Sequence, residues 1–146
     1  MSRSSQRNIA CFISPHGLGH AARAAAVLSA LQQREPGIKL HLFTTAPARF
    51  FEASGCRNKY FHDEQTDVGF AQTSAFVSDL PETVRRLDAF LPFRPELVGR
   101  LSAIVRRSGC GLVLCDIAPL GIAVAREAAV PSVLIENFVW SRLYQS

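Results

Sequence analysis

The chain has 146 residues, 48% of them hydrophobic and 19% charged, a balance that excludes a disordered or fibrous protein. Its net charge of +4 is mild, and the basic residues are scattered instead of being interleaved with aromatics on one face, which argues against nucleic-acid binding. No apolar run approaches the roughly 20 residues that span a bilayer, and the opening MSRSSQRN lacks a signal-peptide core, so a cytoplasmic protein is expected, with at most weak peripheral contact to an anionic membrane.

Residues 1–7 are polar and predict a disordered tail ahead of a single domain over 8–146. Asn8 to Ser14 is apolar on both faces, as a central parallel strand must be. Ser14-Pro15-His16-Gly17-Leu18-Gly19-His20 then reads as a tight turn emptying into a helix. Its two glycines are expected to supply positive φ and close backbone approach to a ligand. The helix places Ala21, Ala24, Ala25, Leu28 and Leu31 on one stripe and stops at Glu35-Pro36-Gly37. A second strand over Ile38 to Thr44, a short helix opened by Pro47, and a third strand near Lys59 to His62 follow. Asp63 to Ser78 shows no period and is expected to be a long functional loop.

Asp79-Leu80-Pro81-Glu82 predicts a capped helix to about Phe90. After a break at Pro92 and Pro95, Leu97, Val98, Leu101, Ile104 and Val105 recur at helical spacing up to Gly109. Gly111 to Cys115 is a fourth strand, followed at once by Asp116 and a helix over about Pro119 to Ala129. Ser132 to Glu136 is a fifth strand, with a short amphipathic stretch over Asn137 to Tyr144. Strands alternating with helices predict an α/β fold, an open doubly wound parallel sheet of Rossmann-like type in the order 3-2-1-4-5. Ligands bind such sheets beyond the carboxyl ends of the strands where the order reverses, and both the glycine-histidine turn and Asp116 fall there. The four cysteines form no C-x-x-C pair and read as reduced, buried thiols.

An imidazole at the head of the first helix, facing a carboxylate after the fourth strand, is the arrangement of a general base. The carboxylate fixes one ring nitrogen as a donor and leaves the other to accept a proton from a hydroxyl. His20 and Asp116 are therefore the candidate catalytic pair. The blander alternative makes His20 a helix-end residue and Asp116 a cap for the following helix. Gly17 and Gly19 shape the pocket, His16 is a second polar wall, and Arg23 is placed to hold an anionic ligand group. Asn137 follows the fifth strand, and Trp140 with Tyr144 offers an aromatic wall for a sugar or aglycone. His16 and His20 are separated by two glycines before the helix, so they do not form a helical zinc pair, and no metal site is expected. Gly17 to Ala22 also fits the G-x-G-x-x-A dinucleotide fingerprint. The acid expected after the second strand is missing there, and Arg49 is the candidate for an NADP 2′-phosphate.

The Gly-His turn and the later Leu-Cys-Asp before a proline- and alanine-containing helix resemble the N-terminal half of GT-B glycosyltransferases. Within that group the chain is most similar to the glycosyltransferase-like region of L-arabinokinase-type proteins, through HGLGHAAR, DVGFAQTSAFVSD and LCDIAPLGIAVAREAAVPSVLIENFVWSRLY. The resemblance implies a two-domain, metal-independent transferase with no resident cofactor. Its N-terminal half holds a small-molecule or lipid-linked acceptor, and a C-terminal half beyond these residues holds most of the nucleotide-sugar donor. It also implies that the histidine of the turn is the base and the aspartate supports it, at positions matching His20 and Asp116. The alternatives are a non-catalytic binding or regulatory module fused to an enzyme such as a sugar kinase, and an NADP-binding oxidoreductase domain.

Overall fold

A computed structural model of the protein describes residues 8–136. The element order is β1 (Asn8–Ile13), α1 (Leu18–Arg34), β2 (Lys39–Phe43), α2 (Arg49–Ala53), β3 (Lys59–His62), β4 (Gln72–Ser74), β5 (Val77–Ser78), α3 (Leu80–Phe90), α4 (Pro95–Arg107), β6 (Cys110–Asp116), α5 (Pro119–Ala128) and β7 (Ser132–Ile135). Five strands form one parallel sheet in the order β3-β2-β1-β6-β7, the doubly wound order expected of the sequence. The chain leaves β1 in one direction and returns on its other side as β6, so the reversal lies between these two strands.

Alternation along β1 builds the two halves of the core. Ile9, Cys11 and Ile13 pack with Leu40, Leu42 and the α1 residues Ala21, Ala24, Ala25 and Leu28. Ala10 and Phe12 face the other way, onto Phe43, Leu101 and Val105, and onto Leu120 and Val124 of α5. Small residues set the approach of the helices. A Cβ on Gly121 would lie 2.6 Å from the Cys115 sulfur and 2.8 Å from Phe12 Cβ, so α5 sits closer to the sheet than alanine permits. All four cysteines are buried and unbridged. Burial pushes the thiol of Cys110 up to about 11 and that of Cys115 up to about 12.

An aromatic layer runs across this second face towards the sheet edge. Phe12 stacks on Phe43 with ring centroids 4.4 Å apart, and Phe43 stacks on His62 at 4.3 Å. His41 Nδ1 lies 3.2 Å from His62 Nε2, and both imidazoles hold their proton more weakly than usual. Burial is the main cause for each, reinforced at His41 by the charges of His62 and Lys39.

Two local expectations are corrected. The segment 63–78 is not structureless: β4 and β5 pair antiparallel within it, and residues 66–69 are buried against the end of β1. Strands of three and two residues are too short to show alternation in sequence. Asp116 is also the last residue of β6 instead of following it, because it pairs with Ile13 and its carbonyl accepts the Ser14 N–H at 3.1 Å. The α3 cap forms as expected, with Asp79 Oδ1 accepting the Glu82 N–H at 2.9 Å. Gly109 follows α4 with φ +62°, and Arg106 and Arg107 occupy the last turn of that helix.

Candidate functional site

The turn after β1 opens α1 through Gly17, whose φ of 86° lies in the region that L side chains avoid. No side chain caps this helix and no acidic residue stands in its first turn, so its first N–H donors face the mouth of the sheet. Gly19 departs from the expectation of a second left-handed glycine. It lies inside the first turn of α1, is exposed, and has nothing within 4 Å of where a Cβ would stand. Only Gly17 is required by backbone geometry.

His20 and Arg23 are three residues apart on α1 and therefore share a face. Both turn towards Asp116, whose side chain is fully buried at the end of the neighbouring strand. His20 Nδ1 stands 3.2 Å from Asp116 Oδ1. Arg23 donates through Nε to Asp116 Oδ2 at 3.0 Å and through Nη2 to Oδ1 at 2.5 Å. The hydrogen bond to Asp116 outweighs desolvation and raises the affinity of the Arg23 guanidinium for its proton. Arg23 is thus a partner of Asp116, with 28% of its side-chain surface still exposed.

Asp116 does not cap α5: that helix has Ala118 at its N-cap and no side-chain cap bond. An unusual backbone follows Asp116. Ile117, the next residue, has φ 45°, a conformation costly for a β-branched side chain. Such strain persists only where surrounding packing enforces it, and Ile117 is buried with its N–H bonded to the Ile135 carbonyl at 3.2 Å.

Arg23 Nη2 also approaches His20 Nδ1, at 3.3 Å, and its shorter, charge-assisted bond goes to Asp116 Oδ1. In the tautomer with Nδ1–H donating to the carboxylate, proton acceptance falls to Nε2. With the His20 side chain 14% exposed against 0% for Asp116, the imidazole is the member of the pair that a ligand can meet.

A second polar cluster on the other side of the turn was not anticipated. Ser14 Oγ donates to Asp67 Oδ2 at 2.8 Å, and Asp67 Oδ1 accepts the N–H of Val68 at 2.7 Å and of Gly69 at 3.4 Å. Thr66 Oγ1 donates to the Ile13 carbonyl at 2.6 Å. Gly69, with φ +62°, packs so tightly on His16 that a Cβ there would fall 2.2 Å from the ring. His16 is therefore half-buried and clamped by the loop. The signal was available: Asp-x-Gly is an Asx-turn pattern, and here it closes over the strand-one turn.

Arg49 stands exposed at the start of α2, its guanidinium 5.5 Å from the Phe50 ring centroid. Asn137, Trp140 and Tyr144 lie outside the described residues. Among the described residues no group of three or more histidine, cysteine, aspartate or glutamate side chains is placed to hold a metal, and no helix is long and apolar enough to cross a membrane.

No protein-family model and no curated protein matches the sequence. Solved structures do share its fold. The calicheamicin glycosyltransferase CalG4 superposes with a TM-score of 0.61 at 18% identity, over 96% of this chain and 36% of that one. The glycotransferase of kitacinnamycin gives 0.59 at 21% identity, over 94% and 32%. A UGT transferase from Siraitia grosvenorii, in complex with UDP, gives 0.57 at 14% identity, over 88% and 27%. At these identities the likeness is one of fold, and this chain spans only about a third of the length of each relative. The parallel sheet with helices on both faces is the Rossmann-like fold of GT-B glycosyltransferases.

Proposed function

We propose that this chain is the acceptor-side half of a cytoplasmic, nucleotide-sugar-dependent glycosyltransferase that moves a hexosyl-type group onto an acceptor hydroxyl. The observation that carries this reading is the His20 Nδ1 to Asp116 Oδ1 contact of 3.2 Å at the carboxyl mouth of the sheet. In the reaction, His20 Nε2 takes the hydroxyl proton as the acceptor oxygen attacks the anomeric carbon, and the nucleoside diphosphate departs with the bonding pair. Asp116 holds the tautomer, and Arg23 holds Asp116. The donor is a co-substrate, bound mainly by a second domain. In the full-length protein, His20→Ala is expected to lower kcat for acceptor-dependent nucleotide release by roughly 10²-fold or more. Turnover near that of the unmodified protein would remove His20 from the chemistry.

One observation favours a second reading, the non-catalytic module fused to another enzyme, as in the L-arabinokinase-type proteins the motifs resemble. Arg23 engages both oxygens of Asp116, and a forked salt bridge of this kind can serve as structure alone. Under that reading the full-length protein shows no sugar transfer, and His20→Ala leaves the activity of the fused enzyme unchanged.

A further inference from the structure

A cleft of about 330 Å³ lies outside the His20 site, between residues 64–68, α3 and α4. Its volume falls within the range of small-molecule pockets, about 300–1,000 Å³. Its lining combines two chemistries: Val68, Phe90 and Leu97 are apolar, whereas Arg85, Arg86 and Arg94 are cationic. The charges do not cancel. Glu82 alone serves Arg85, which forks onto both its oxygens at 2.7 Å, and Arg86, which uses Nε at 2.8 Å. The two guanidiniums hold the Glu82 carboxyl down to about 2. Glu64, on the loop side, is taken by Arg100 at 2.7 Å. The lining itself carries Arg85, Arg86 and Arg94 against Glu64 alone, and among the described residues Arg94 has no ion-pair or hydrogen-bond partner for its guanidinium. Asp88 and Glu96, on the same two helices, do not line the cleft.

We propose that this cleft binds an anionic small molecule with an apolar, ring-sized body: the acid group on Arg94 and Arg86, the body against Phe90, Leu97 and Val68. A guanidinium fork matches a carboxylate or phosphate, and apolar residues in the same lining reward a ligand that also carries hydrophobic surface. The proposal holds whether or not the chain takes part in sugar transfer. It also places the ligand against the loop of the second polar cluster, because Val68 lies between Asp67, which binds Ser14, and Gly69, which clamps His16. A bound molecule is therefore expected to be sensed at the His16 ring.

The test uses the chain as it stands, with 2-naphthyl phosphate as probe, and inorganic phosphate and 2-naphthol as its two halves, each followed by amide chemical shifts. The expected result is saturable binding of 2-naphthyl phosphate with shifts at Val68, Ala89 and Leu97, weakened by added salt. Each half alone should bind at least about 10-fold more weakly, and Arg94→Gln should weaken the whole probe about 10-fold, the loss of one charge-assisted hydrogen bond. Arg94 is exposed, so the variant should keep its melting temperature. The proposal is overturned if 2-naphthol or phosphate alone binds as tightly as the whole probe, if Arg94→Gln binds unchanged, or if the shifts cluster elsewhere.

Discussion

Two polar clusters flank the end of β1, and they are built to different ends. On one side Ser14, Thr66 and Asp67 are buried and bond to backbone groups and to one another. On the other side Asp116 is equally buried, but the groups that meet it, His20 and Arg23, reach towards solvent with 14% and 28% of their side-chain surface exposed. Both clusters use one carboxylate to organise several donors. The difference is where the donors end: the first returns them to the fold, and the second leaves an imidazole partly open to solvent. Stability is therefore expected to reside in the first cluster and chemistry in the second.

Gly69→Ala should give the largest effect. It combines a φ of +62° with a Cβ placed inside the His16 ring, and should cost about 3–5 kcal/mol in urea unfolding. Asp67→Ala comes next, at about 3 kcal/mol, since it strips a buried carboxylate from the Ser14 hydroxyl and two amides. A loss below 1 kcal/mol for either variant would break the contrast. His20→Ala sharpens it from the other side: the same unfolding measurement should show a loss of about 1 kcal/mol or less, because the ring is partly exposed and Arg23 still pairs with Asp116. A loss as large as that of Asp67→Ala would make His20 a structural residue.

The His41–His62 pair provides a second imidazole environment, at the β2–β3 side of the sheet. Burial lowers both proton affinities below the ordinary value of 6.5 in the folded state, so the unfolded chain binds more protons there as the solution is acidified. The stability contributed by keeping the pair neutral is complete above pH 6.5 and is lost as pH falls below 6.5 through the lowered folded values. The melting temperature should therefore be lower at about pH 5.5 than at about pH 7.5, and His62→Phe, which keeps the stack on Phe43, should reduce that difference. An unchanged difference would assign the acid sensitivity to other groups. The smallest effect is expected at Gly19, where alanine meets open space in a helix and should stabilise by about 0.5–1 kcal/mol. A loss there would mean that the turn needs both glycines.

Much of the sheet was legible because buried parallel strands and an alanine-striped helix leave strong periodic signals. Ile9 to Ile13 and Val113 to Cys115 are apolar on both faces, Leu40 to Phe43 departs from this only at His41, and the order of strands follows from their alternation with helices. The pairing of His20 with Asp116 was legible from the same topology, since it brings the ends of adjacent strands together across a separation of 96 residues. The bond of Arg23 to Asp116 was not legible, because spacing places a side chain on a helix face without saying what it reaches. Asp67 and Gly69 were missed for a different reason. Their role depends on how one irregular loop folds over another, and neither hydrophobic period nor strand order carries that information.

The four interior thiols have a practical consequence. Cys11 and Cys115 flank the sheet from opposite core halves, and burial keeps their sulfurs protonated at neutral pH. Iodoacetamide should then react only with molecules that have opened, turning the natural cysteines into a clock for exposure of each layer with no label engineered in.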